Sequence, residues 1–265
     1  MKGVFNISKK IMIDAGHVGF YNRSPVVPEY WESVAMWKLH EFLAEELELY
    51  GFEVFKTRKD INEDMAVVKR GKRSKGCDLF LSLHSNAVGE KGSESVDRVD
   101  VYGAYDNLND SHKLAKSLAV AIGDVMGVKG GGHVKTRKSN EGDWEYYGVL
   151  RGARNVGCPL FYIVEHSFHT NELSARWLLK EENLRRLAET EAAVIGAFYG
   201  MKKPAVLGDV NQNGKLDRTD YVLLKRSCFG TIELSEEQKK LADFNGDGKI
   251  DSRDYIALKR KMFEN

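Results

Sequence analysis

The chain has 265 residues, 42% of them hydrophobic, enough for one full-sized core and a second, smaller domain. Forty basic against thirty-nine acidic side chains leave a net charge of +1, which excludes a bulk electrostatic drive toward nucleic acid or an anionic membrane. No run reaches the ~18 apolar residues that span a bilayer. Cys77, Cys158 and Cys228 are too widely spaced for a disulfide framework and read as thiols of a chain made in a reducing compartment.

The first apolar run, Lys10–Asp14, is predicted to be a buried strand, and His17 follows it. A loop with Pro25 and Pro28 leads to an amphipathic helix from about Glu32 to Tyr50, closed by Gly51. Residues 52–57 read as a second strand and 62–76 as a helix; its basic run, KRGKRSK, suits a solvated face. DLFLSLH (78–84) is a third strand stopping at His84, VDVYGA (99–104) an additional strand, and 111–126 a helix. The glycine-rich segment 127–146 reads as a long surface loop, the kind that often carries function. YGVLRG (147–152) and LFYIVEH (160–166) are predicted strands, the second carrying Glu165, and 171–200 is a helix. Strands alternating with helices imply an α/β fold: a mixed, largely parallel twisted sheet flanked by helices.

In open α/β sheets ligands gather outside the carboxyl ends of strands. His17, His84 and Glu165 stand at three such ends, which points to a metal and a base. A tetrahedral zinc site with an open position wants a third protein ligand; in PEYWES both Glu29 and Glu32 qualify, each near the first turn of the helix. Glu165 sits in an apolar strand, where a carboxylate is costly to bury without a purpose. Alternation turns His166 to the opposite face, so His166 and His169 are read as structural or substrate-side. His40, His112 and His133 are read as non-catalytic. Ser85 and Asn86 shape the site below His84, and Arg70 and Arg151 are read as scaffold ion pairs.

After a short linker, 201–207, the composition changes. Residues 208–226 and 242–260 superpose without gaps at a period of 34. Asp209, Asn211 and Asn213, and then Asp243, Asn245 and Asp247, fall at positions 1, 3 and 5 of an EF-hand-like loop. Gly214 and Gly248 occupy the sharp turn, Lys215 and Lys249 offer backbone carbonyls, and Asp220 and Asp254 close the loops at position 12. Leu216 and Ile250 are expected to point inward. The repeat predicts two structural calcium ions in a small all-α, EF-hand-like module, 208–265, behind an α/β domain, 1–200.

With IMIDAGH, the Glu-led helix, Thr57-Arg58, DLFLSLHSNA and IVEHSFHTN in this order, residues 8–200 resemble zinc-dependent N-acetylmuramoyl-L-alanine amidases of type 3. The resemblance implies a zinc ion on His17, His84 and a glutamate, Glu165 as the catalytic carboxylate, and peptidoglycan as substrate. The family spacing, counted back from Gly51, favours Glu32 over Glu29. The repeat resembles dockerin type I modules, which implies a cohesin-like partner held by Arg218, Thr219, Lys225 and Arg226 or by Ser252, Arg253, Lys259 and Arg260. Self-association or a wall polymer are alternative partners. The competing functions are a zinc peptidase on another substrate and a non-catalytic wall-binding protein. No export signal precedes the first strand, so release in the manner of a phage endolysin is one expectation; secretion after loss of an upstream signal is the other.

Overall fold

Alternation along each strand decides which layer a side chain joins. In the computed structural model, which describes residues 8–89 and 91–263, β1 (Lys10–Ala15) lies between β2 (Glu53–Lys56) and β3 (Leu79–Asn86). Beyond β3 come β6 (Leu160–Phe168), β4 (Val99–Tyr102) and β5 (Gly132–Lys135). Neighbours run parallel except β4 against β6. The mixed, largely parallel sheet expected from the sequence is therefore present.

Ile11, Ile13, Leu79, Leu81, Leu83, Tyr162 and Val164 belong to one apolar cluster. It joins the sheet to α1 (Glu32–Leu49), α3 (His112–Met126) and α6 (Glu181–Tyr199). The alternate residues Met12, Phe80, Phe161 and Ile163 face the other way, toward α4 (Gly148–Asn155), which packs on α2 (Val67–Lys72). That helix pair crosses closely because it is glycine on glycine: a Cβ on Gly71 would come within 1.9 Å of the Val149 carbonyl oxygen, and one on Gly152 within 2.2 Å of that of Val68.

The structure corrects four local readings. Residues 147–152 are not a strand: Val149, Leu150 and Ala153 share the buried side of α4, a spacing that suits a helix, and burial against α2 decides the ambiguity of so short a run. The segment 127–146 contains β5, which extends the sheet beside β4. The helix expected over 62–76 shrinks to α2. The one expected over 171–200 is two, α5 (Glu172–Leu178) and α6, broken at Leu179 and Lys180.

Contacts divide the chain into two compact units, residues 1–201 and 202–265. In the second, Val210, Leu224, Leu234, Ala242 and Leu258 form a small core among α7 (Arg218–Cys228), α8 (Glu236–Ala242) and α9 (Ser252–Phe263), and Leu216 and Ile250 pack against it. All three cysteines are free; Cys77 and Cys158 are buried and Cys228 is half-buried.

Candidate metal centre and paired acidic loops

The turn after β1 is shaped by the imidazole it must accommodate. Gly16 has no side chain because a Cβ there would lie 2.5–2.8 Å from three atoms of the His84 ring. The next residue, His17, takes φ +60°, a left-handed conformation rare for residues with a Cβ and frequent at functional sites. The chain then loops to Glu32, whose N–H donates to the Asn22 carbonyl at 3.0 Å as α1 begins. This brings the Glu32 carboxylate, 1% exposed, to the carboxyl ends of β1 and β3.

Glu32 Oε1 lies 3.2 Å from His17 Nε2 and 2.8 Å from His84 Nδ1. Ligands held at 2.0–2.1 Å around a tetrahedral ion stand roughly 3.3 Å apart, so this donor set fits a divalent cation. Among the described residues it is the one His, Cys, Asp and Glu grouping with ligand atoms within 4.8 Å of one another. Glu29 is exposed and outside it. Burial works against the charge of Glu32, but the hydrogen bonds and charge of the two imidazoles prevail and hold its carboxyl well below the usual range.

Glu32 is also held from behind. Asn22 Nδ2 donates to Oε2 at 2.7 Å, and the Ser85 N–H donates to Oε1 at 3.1 Å. Sequence reasoning missed Asn22; its one signal is that asparagine tolerates the left-handed φ of +54° found there. His169 lies nearer than its sequence position suggests, with Nδ1 3.8 Å from Glu32 Oε2 and 2.9 Å from the Ser85 carbonyl oxygen. Ser85 Oγ bridges that ring to the Tyr30 hydroxyl, at 3.0 and 2.7 Å. Asn86 accepts the His169 N–H on its carbonyl at 2.8 Å.

Glu165 is the register partner of His84 across β3 and β6, and by alternation the two share a face of the sheet. Its Oε2 is shielded from solvent and has no hydrogen-bond partner. Burial first, then the charges of Glu32 and Asp100, push its carboxyl well above the ordinary carboxylate range. A carboxyl oxygen without a partner beside a ligand cluster is what a proton-transfer group requires before substrate arrives.

His166 points to the opposite side, as alternation requires. Its Nδ1 lies 2.9 Å from the His84 carbonyl oxygen and its Nε2 2.9 Å from Glu191 Oε1 on α6. Arg70 is part of the support: Nη2 donates to the His17 carbonyl at 3.1 Å and Nη1 to that of Ala15 at 3.3 Å, 3.8 Å from Asp14. Among the described residues Arg151 has no ion-pair partner, unlike the scaffold ion pair expected; it donates to the carbonyls of Glu145 at 2.9 Å and Tyr146 at 3.3 Å. His40 is buried in α1, His112 Nε2 donates to the Ala104 carbonyl at 2.9 Å, and His133 is exposed on β5. None joins the cluster.

In the second unit the two loops repeat one hydrogen-bond scheme. The N–H groups of Asn213 and Gly214 donate to the Asp209 carboxylate at 3.0 and 2.7 Å; those of Asp247 and Gly248 donate to Asp243 at 3.0 and 2.9 Å. Asn211 and Asn245 accept from the residue two ahead, each at 2.9 Å, and Asn213 and Asp247 do the same for Lys215 and Lys249, at 2.8 and 3.0 Å. Asp220 and Asp254, both 0% exposed, are held by the N–H groups of Asn211 and Asp217 and of Asn245 and Asp251. Oxygen donors so oriented around each loop are the chemistry of a calcium cage. Of the expected partner contacts, Arg218, Thr219, Lys225, Arg226, Ser252, Arg253, Lys259 and Arg260 are all exposed. Arg253 reaches back into its loop, with Nη2 2.8 Å from Asp247 Oδ2.

Fold and site together define a mixed α/β domain whose His-Glu-His donor set suits a metal ion and lies beside a carboxyl group, followed by a module of two acidic loops. Residues 11–197 match the family Amidase_3, N-acetylmuramoyl-L-alanine amidase, and residues 207–263 match the Dockerin type I domain. The chain belongs to the N-acetylmuramoyl-L-alanine amidase family and carries a dockerin. Among solved structures it is similar to an N-acetylmuramoyl-L-alanine amidase from Clostridium difficile 630, with a TM-score of 0.62, 19% identity, and coverage of 73% of this chain and 97% of that one. AmiC2 of Nostoc punctiforme gives 0.59 and 22%, over 72% and 97%. Cwp6 from Clostridium difficile gives 0.58 and 24%, but the match spans 72% of this chain and only 29% of Cwp6. At these identities the likeness establishes the fold. No curated protein matches.

Proposed function

We propose that the first unit hydrolyses the amide between the lactyl group of N-acetylmuramic acid and L-alanine, using a zinc ion held by His17, Glu32 and His84. The observation that carries this reading is the convergence of those three donor groups beside Glu165, whose Oε2 is buried and unpartnered. When bound, the ion supplies Lewis acidity that polarises a carbonyl and makes water a stronger acid.

The chain's own residues then divide the remaining work. Asn22 and the Ser85 N–H orient Glu32 so that one oxygen faces both imidazoles. Gly16 and Arg70 set the path of the backbone at His17. Glu165 Oε2 takes a proton from the attacking water and returns it to the departing L-alanine nitrogen. Its raised affinity for a proton suits the second step as much as the first.

The acidic loops of the second unit each hold a structural calcium ion through Asp209, Asn211, Asn213, the Lys215 carbonyl and Asp220, and through Asp243, Asn245, Asp247, the Lys249 carbonyl and Asp254. Calcium then orders α7 and α9, which carry the cationic residues that meet a cohesin. The protein acts at the cell wall.

Dye release from stained peptidoglycan, with appearance of new L-alanine amino groups, tests the reaction; chelator should abolish it. Glu165→Gln should keep the zinc content of wild type and lose turnover by at least about 100-fold. Near-wild-type lysis by that variant would remove Glu165 from the mechanism.

A further inference from the structure

The long segment singled out in the sequence ends in a built structure outside the metal centre. Residues 137–146 fold back on themselves: Tyr146 N–H donates to the Arg137 carbonyl at 3.0 Å, Ser139 N–H to that of Trp144 at 2.9 Å, and Lys138 bridges to Glu145. Glu145 anchors the turn. It is fully buried, and its Oε1 accepts from Arg154 Nη1 on α4 at 2.7 Å. Arg151, one turn before Arg154 on the same helix, holds the Glu145 and Tyr146 carbonyls. The hairpin is thus clamped to α4. Packing of α4 on α2 ties it to the helix whose Arg70 supports the backbone at His17.

On this clamped turn two large aromatic side chains face outward: Trp144 is 38% exposed and Tyr146 45%. Arg137 stacks on Tyr146, its guanidinium carbon 3.5 Å from the ring centroid, and restricts the ring. With Ser139, Asn140, Glu141 and Arg151 these rings line an open cleft of about 450 Å³. One carboxylate and one guanidinium leave the lining without net charge. It offers partly exposed aromatic surface, Trp144 resting against Gly142 and Tyr146 against Arg137, together with hydroxyl, amide and charged hydrogen-bonding groups.

We propose that this cleft is a binding subsite for a neutral pyranose ring of an N-acetylated glycan strand. A sugar has apolar C–H faces that cover an aromatic ring and a rim of hydroxyls that needs both donors and acceptors. An acidic peptide would leave Glu141 opposed, and an apolar partner would leave the polar rim unpaired. Because the hairpin is held by buried ion pairing, binding requires little ordering of the aromatic platform. The inference rests on the amidase reading only in choosing a wall glycan among neutral polyols.

The test uses the full-length protein and a soluble β-1,4-linked N-acetylglucosamine tetramer, which has no stem peptide and no scissile amide. Isothermal titration should show saturable binding by wild type. Trp144→Ala/Tyr146→Ala should weaken it at least tenfold, Asn140→Ala about threefold, and Trp144→Phe, which keeps a ring, less than Trp144→Ala. The double variant should keep the zinc content of wild type and show a raised KM on intact peptidoglycan. If the double variant does not fold, the single changes Trp144→Ala and Tyr146→Ala, both at exposed positions, must each weaken binding at least threefold. No binding by wild type, or undiminished binding by folded aromatic variants, overturns the proposal. Tetramer binding with loss in these variants, but no cleavage of muramoyl–alanine bonds by wild type, would instead overturn the amidase reading and leave the subsite standing.

Discussion

Removing the carboxylate of Glu191 probes how the scaffold holds the metal centre. His166 and Glu191 are both 0% exposed and meet at 2.9 Å, and the other ring nitrogen of His166 lies 2.9 Å from the His84 carbonyl oxygen. Nδ1 donates to the carbonyl, and Nε2 and the Glu191 oxygen share one hydrogen bond, so each ring nitrogen has a partner. Glu191→Leu keeps much of the volume but leaves a buried imidazole nitrogen without a partner. Breaking a buried pair from one side costs about 3–5 kcal/mol. For a domain of this size each kcal/mol moves Tm by roughly 2–4 °C, so the melting transition of the metal-free amidase unit should fall by about 10 °C. His166→Leu/Glu191→Leu, which removes both polar partners, should recover more than half of that loss in urea titrations. A loss below about 1 kcal/mol for Glu191→Leu, or a double variant as unstable as the sum of the singles, would refute the claim that this pair is a coupled buried support.

Three further outcomes follow from the geometry. Glu32→Gln should lower zinc affinity at least 100-fold in competition with a chromogenic chelator while Glu29→Gln leaves it unchanged; the reverse pattern would exclude Glu32 from the ligand set. Burial holds the His40 imidazole down to about 4, against the Trp37 carbonyl and Glu41, which favour its charged form. The unfolded chain therefore takes up a proton that the folded one refuses between pH ~6.5 and ~4. His40's contribution is full above that window and is lost through it as pH falls, by an amount on the order of 3 kcal/mol; His40→Leu should flatten this limb of the stability–pH curve, and an unchanged limb would assign it elsewhere. Finally, Arg253 Nη2 lies 2.8 Å from Asp247 Oδ2, whereas the first repeat has Thr219 and neutral Asn213 at the matching positions. Arg253→Thr should raise the calcium affinity of the second loop severalfold by titration calorimetry, and equal or weaker binding would show that the guanidinium does not compete with the ion.

The comparison of sequence with structure separates short-range from long-range information. Ile11–Ile13, Leu79–Leu83 and Leu160–Val164 are buried on both faces, so their apolar runs were legible as strands and the polar residues that end them as a site. Both acidic loops were legible because all their donors lie within one contiguous stretch, where spacing alone sets geometry. The helix at Gly148–Asn155 was not, since eight residues of mixed propensity take the conformation that packing on Gly71 and Val68 rewards. Glu32 rather than Glu29 against His17 and His84, Asn22 behind it, His169 beside it and Glu191 beneath His166 depend on where a loop returns or a distant helix docks. The amino-acid order by itself determined the chemical inventory at the strand ends and in the repeat, because those signals are local. Only tertiary structure decided which of several eligible carboxylates and amides complete the site, because that choice is made by burial and distance between segments far apart in the chain.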